Sequence, residues 1–108
     1  MCQFESLYYG DDGFVIRCKQ CGHYRVAFIS TMLNLTENNF QALRKVVQHK
    51  CIEADYSYAE NNKSIIIETA LDGVYIMLTS SEVKRFNDVL EEADNEVKAL
   101  SLISLFNQ

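Results

Sequence analysis

Residues 14–28 and 65–79 of this chain align without a gap, and that internal echo restricts the fold more than any other feature of the sequence. Phe14-Val-Ile-Arg-Cys-Lys-Gln-Cys-Gly22-His-Tyr24-Arg-Val-Ala-Phe28 lies over Ile65-Ile-Ile-Glu-Thr-Ala-Leu-Asp-Gly73-Val-Tyr75-Ile-Met-Leu-Thr79, with the glycine and the tyrosine two residues later coinciding. Both stretches then reach a Leu-Thr pair, Leu35-Thr36 and Leu78-Thr79, that opens a helical pattern, and the first takes eight residues longer to get there.

Short runs rich in Val, Ile, Phe and Tyr, punctuated by Gly, Asp and Asn, are strand and hairpin signals. They predict a hairpin of Phe4–Tyr9 and Phe14–Lys19 about a turn at residues 10–13. A strand over His23–Ser30 then pairs back, and the stretch to Leu35 extends it or bulges. The second half repeats this with Tyr56–Ala59, a turn at Asn61-Asn62, Lys63–Ala70 and Val74–Thr79. Thr36 and Thr79 are helix caps, and Glu82, three residues after Thr79, completes a capping box. Phe40, Leu43, Val46, Val47 and Cys51 make one face of the first helix apolar. Val83, Phe86, Leu90, Ala93, Val97 and Leu100 do the same for a long second helix. The acidic run Asp88, Glu91, Glu92, Asp94 and Glu96 reads as its wet face. The expected fold is α+β: two β-β-β-α repeats, residues 1–54 and 55–108, whose antiparallel sheet is packed by two helices, the C-terminal one long. With 108 residues, 48% of them hydrophobic, there is material for one core, so residues 1–108 read as a single domain.

Within the first turn sits the chemistry. Cys18 and Cys21, two residues apart before Gly22, can grip one metal ion from both sides of a tight turn. Zinc asks for four Cys or His donors, so partners are needed. Pairing the first hairpin about Asp11-Asp12 sets Cys2 opposite Cys21, provided the hairpin has no bulge. His23, His49 and Cys51 are the remaining candidates, with His49-Lys-Cys51 a second compact donor pair. A structural zinc is the leading expectation. The aligned turn carries Thr69 and Asp72 in place of the thiols, so the turn itself does not require a metal. Thiol redox use ranks lower, because the Cys-x-x-Cys leads into a strand and lacks the helix N-terminus that activates such a pair.

No export signal and no apolar run long enough to cross a bilayer is apparent, so the cytoplasm is the expected location and a membrane role is not expected. Four cysteines in a reducing compartment read as thiols or ligands. A net charge of −5 argues against nucleic-acid binding, although six tyrosines offer a stacking platform as a third option. The charge is uneven: residues 1–52 carry +2 and residues 53–108 carry −7, a split suited to self-association or an acidic protein partner. The apolar end of the second helix, Leu100, Leu102, Ile103, Leu105 and Phe106, is expected to overhang the sheet and pair with a second copy as a homodimer. There is no Gly-rich phosphate loop, no Gly-x-Ser-x-Gly and no His-x-x-x-His pair, so a non-enzymatic binding or scaffold module is the expectation, with a thiol- or metal-dependent enzyme as the alternative.

The run Cys18-x-x-Cys21-Gly22-His23-Tyr24-x-Val26-Ala27-Phe28, the two Leu-Thr helix starts and Asn62-Lys63-Ser64-Ile65 together resemble a family of small uncharacterised bacterial proteins of the Bacteroidetes type. The resemblance covers most of the chain. It implies a cytosolic domain of unknown function and supplies no catalytic residues.

Overall fold

The computed structural model describes residues 2–54, 62–63 and 65–107. Four strands come first: β1 (Phe4–Gly10), β2 (Gly13–Cys18), β3 (Tyr24–Phe28) and β4 (Thr31–Leu35), followed by α1 (Glu37–Ala54). Then come β5 (Ile65–Glu68), β6 (Tyr75–Leu78) and α2 (Ser80–Phe106). The fold is α+β as expected, with antiparallel strands in two sheets, β1-β2-β3-β4 and β5-β6.

The first unit carries a strand more than expected. The eight residues by which it exceeds the second are spent on β4, reached through a two-residue turn, Ile29-Ser30, between paired Phe28 and Thr31. Ile29 sits there at φ 55, a conformation a β-branched side chain rarely adopts, with its N–H bonded to the Asp12 carbonyl at 2.7 Å. In the second unit, the expected strand Tyr56–Ala59 and Asn61 lie outside the described residues.

The two aligned hairpins match in detail. Arg17 pairs with Tyr24 and Val15 with Val26; β5 and β6 pair Glu68 with Tyr75 and Ile66 with Met77, the same register displaced by 51 residues on each strand. The turn glycines Gly22 and Gly73 have φ 76 and 78. Both helices start alike: the Asn39 N–H donates to Thr36 Oγ1 at 3.2 Å and the Glu82 N–H to Thr79 Oγ1 at 3.1 Å. The Thr79 N–H donates in turn to the Glu82 carboxylate, which closes the capping box.

One face of the sheets is covered by the helices. Strand alternation turns Val15, Tyr24, Val26, Phe28, Leu33 and Leu35 inward, where all are buried. Strand β3 anchors both helices through stacked rings: Tyr24 on Phe40 of α1 at 4.1 Å and Phe28 on Phe86 of α2 at 4.5 Å. Asp94 departs from the expected wet face of α2: it is 3% exposed, between the two helices. Gln41 donates to it at 3.0 Å, and Arg44 and Lys98 lie 3.3 and 3.0 Å away. Those partners offset the cost of taking a carboxylate out of water.

Helix α2 runs unbroken through Ala99-Leu100-Ser101, its 27 residues giving the molecule its long axis of 51 Å against 27 and 24 Å. Beyond Leu100 its apolar side chains are largely uncovered by the described residues: Leu102, Ile103, Leu105 and Phe106 are 55% to 85% exposed. Among the described residues no helix is long and apolar enough to cross a membrane.

Candidate metal site at the first turn

The site is built at the end of the β1–β2–β3 sheet. Leaving β2, the chain turns back on itself with the Gly22 N–H donating to the Cys18 carbonyl at 3.0 Å and the Cys18 N–H to the His23 carbonyl at 2.8 Å. This tight turn aims the Cys21 N–H at Cys18 Sγ, 3.4 Å away. Gly22 carries the positive φ that lets the chain re-enter β3.

Cys2 arrives by a different route from the one the register argument supplies. Strand β1 has a bulge between Ser6 and Tyr8, so Phe4 pairs with Cys18 and the register beyond the bulge is shifted by one. The Lys19 N–H continues that shifted ladder to the Gln3 carbonyl at 2.8 Å, and the Gln3 N–H donates to Gln20 Oε1 at 2.6 Å. Cys2 is thereby carried one position off Cys21, and the turn closes the gap: Cys2 Sγ and Cys21 Sγ lie 3.5 Å apart.

The sulfurs of Cys2, Cys18 and Cys21 all fall within 4.8 Å of one another. With zinc–sulfur bonds of about 2.3 Å, a tetrahedral ion holds its sulfurs about 3.8 Å apart, so the donor set fits one such ion with small side-chain adjustments. Cys18 is buried, while Cys2 and Cys21 are exposed, so the cluster is backed by protein on one side and open to solvent on the other. Burial alone pushes the Cys18 thiol up. The hydrogen bonds its sulfur receives from Cys2 and from the backbone and thiol of Cys21 outweigh that and bring it down to about 7. Cys2, hydrogen-bonded to Cys18 and then to Cys21, is pushed up to about 12. Of the Cys2–Cys18 pair, Cys18 therefore ionises first, as a thiolate that Cys2 hydrogen-bonds.

The other sequence candidates stand apart. His23 follows the turn with an exposed side chain that is not among the clustered donors. His49 and Cys51 occupy the last turns of α1, whose first residue, Glu37, lies near the Cys18 turn; twelve helical residues on, His49 is about 18 Å further along the axis. Its Nε2 is 3.0 Å from Glu53 Oε1. Among the described residues no fourth donor joins the three thiols. Sequence spacing signalled Cys18 and Cys21, and the hairpin signalled Cys2; no signal separated these from His49 and Cys51 until the helix axis was known.

Beside the turn lies a cleft of about 720 Å³. Arg17, ion-paired with Glu5, forms its floor together with Tyr24, and Leu100, Ile103 and Leu105 of the overhanging helix form one wall. The tyrosines do not assemble into one platform: Tyr24 is in the core, Tyr9 and Tyr75 are exposed on different sheets, and Tyr56 and Tyr58 lie outside the described residues.

Compared with known proteins, residues 1–107 match the model of a family of unknown function, DUF6686. No curated protein and no solved structure matches.

Proposed function

The chain belongs to that family, and from its thiol cluster we propose that it is a small non-enzymatic binding module in which Cys2, Cys18 and Cys21 hold a structural zinc ion. The observation that carries this is the convergence of three cysteines from two separate segments, residue 2 and the turn at residues 18–21, within 4.8 Å. Three thiolates and a divalent ion leave a fourth position, on the exposed Cys2/Cys21 side, for water or a donor from another molecule. The ion ties the start of β1 to the turn, and the reading places the chain in a reducing compartment such as the cytoplasm, where thiols persist.

The test is metal analysis of untagged protein purified without chelator. Close to one equivalent of zinc is expected, with a fall in melting temperature on chelation and loss of zinc from Cys18→Ser and Cys2→Ser. Less than about 0.2 equivalents, with free thiols and stability unchanged by chelator, overturns the reading.

A second reading rests on the 3.5 Å contact between the exposed Cys2 and Cys21 sulfurs. In it, the metal-free cluster exchanges with a disulfide-bearing molecule: the exposed Cys21, as thiolate, attacks one sulfur, the other leaves as thiolate, and Cys2 beside it resolves the mixed disulfide. Both external sulfurs leave reduced and two cysteines here end oxidised. A protein that keeps one zinc and reacts with disulfides only after chelation favours the first reading over this one.

A further inference from the structure

The last turns of α2 pose a problem that the rest of the fold does not resolve. After Lys98 the chain has no charged residue, and from Leu100 to Phe106 the helix is apolar on almost every side. At 100° per residue, Leu102 and Phe106 fall about 200° and 240° from Leu100, on the side of the helix facing away from it, while Leu105, at about 140°, stands at the edge of the cleft. Leu100 packs against the core, and Ile103 lines the cleft beside it. A helix that is apolar all round is normally buried all round. This one projects with Leu102 57%, Leu105 65% and Phe106 85% exposed.

We infer that this helix end is the docking surface for a second copy of the chain, joined by two-fold symmetry so that each α2 end lies on the other and the partner's Phe106 reaches the cleft between α2 and the Cys18 turn. Three observations select this occupant. Leu102, Ile103, Leu105 and Phe106 together offer roughly 500 Å² of exposed apolar side chain per copy, about 1,000 Å² for a pair, which reaches the lower bound for a specific interface before any polar rim is added. A two-fold contact brings like surfaces together, and a chain of net charge −5 self-associates most readily through the stretch that carries no charge. Membrane insertion of such a helix calls for Lys and Arg on its polar face. Here the exposed side of α2 is not basic: Asp88, Glu91, Glu92 and Glu96 outnumber Lys84, Arg85 and Lys98 there, and the last turn has no basic residue. The inference does not depend on the zinc reading.

Sedimentation velocity on the full chain, from about 1 to 200 µM, tests it, with and without one equivalent of zinc. The parent is expected to pass from monomer to dimer within that range in both conditions. Leu102→Glu and Phe106→Glu, at exposed positions that leave the monomer's core untouched, should each raise the dissociation constant about 100-fold or more with unchanged helix content. A parent that stays monomeric at the highest concentration overturns the inference. So does a dimer indifferent to both substitutions, a dimer that forms only with zinc, or a monomer that co-sediments with phosphatidylglycerol vesicles through Phe106.

Discussion

Replacing Gly22 or Gly73 by alanine should cost the same, although one turn carries thiols and the other does not. The two glycines sit at φ 76 and 78, and a Cβ built on either meets no atom within 4 Å, so packing contributes nothing. What remains is the backbone. Holding an L-residue in the left-handed region costs about 1–2 kcal/mol, and alanine recovers about 0.4–1 kcal/mol of that by narrowing the unfolded ensemble. The net loss is about 0.5–1 kcal/mol for each variant. With an unfolding entropy of about 2.1 cal/mol/K per residue over 108 residues, that is a drop in melting temperature of about 2–5 °C. Thermal and urea unfolding, followed by circular dichroism in chelator and reductant, give the comparison free of metal. Zinc added to Gly73→Ala should restore the full increment seen in the parent, since the second turn offers the ion no thiols. A loss above about 2 kcal/mol in either variant, or a difference above about 1 kcal/mol between them without metal, would refute the claim that the turns share one backbone solution.

Thiolate absorbance of the metal-free protein should show an ionisation near pH 7 that disappears in Cys18→Ser, with Cys2 titrating toward pH 12; no thiolate below pH 8.5 would contradict the cluster geometry. Because the folded Cys18 value lies below the ordinary 9.0, its contribution to stability is complete above pH 9 and is lost as the pH falls through 7. Cys2 acts in the opposite sense, stabilising below pH 9 and ceasing to do so as the pH climbs toward 12. Asp94→Ala should destabilise by about 3–5 kcal/mol in urea titrations, because it leaves Arg44 and Gln41 without their buried acceptor, and a loss under about 1 kcal/mol would show the network to be dispensable. Burial raises the Asp94 carboxyl, but the hydrogen bonds from Gln41 and Lys98 and the charge of Arg44 outweigh it and hold it below its usual 3.8. The stability it supplies is therefore present above that value and should decline as the pH falls below it, a dependence that Asp94→Ala abolishes.

Where the sequence was legible, a local physical cue coincided with the tertiary outcome. Thr79 and Glu82 form the capping box their spacing announced, and Gly22 and Gly73 mark turns of one geometry. Strand β4 escaped because its turn has no Gly, Asn or Asp: Ile29 occupies the left-handed position where Gly or Asn is expected, so residues 23–35 read as one extended run. Asp94 escaped for a related reason. It follows Glu91 and Glu92 in sequence, and only the approach of α1, with Gln41 and Arg44 on its facing side, turns a wet position into a buried one. Cys2 was found by an idealised hairpin whose register the bulge at Ser6–Tyr8 then displaced by one residue, and the path of the turn at residues 19–22 still brings Cys21 to it.

The second turn also indicates what an ion at the first would stabilise. There, Thr69 stands where Cys18 does, and its hydroxyl closes the turn unaided: Oγ1 donates to the Val74 carbonyl at 2.7 Å and accepts from the Leu71 N–H at 3.3 Å. The same backbone path is thus secured by hydrogen bonds within a single segment. In the first turn the Cys18 carbonyl and N–H already hold Gly22 and His23, so closing this loop does not require a metal either. The residue without a counterpart is Cys2. It precedes β1, and the chain beside it is held by two hydrogen bonds, from the Lys19 N–H to Gln3 and from the Gln3 N–H to the Gln20 side chain. An ion bound to all three sulfurs would therefore act chiefly on the N-terminal segment, fastening it to a turn that stands without help. Hydrogen exchange should show it: zinc should slow the Gln3 and Lys19 amides far more than those of Gly22 or Tyr24. Equal protection across the turn would mean that the ion organises the loop itself.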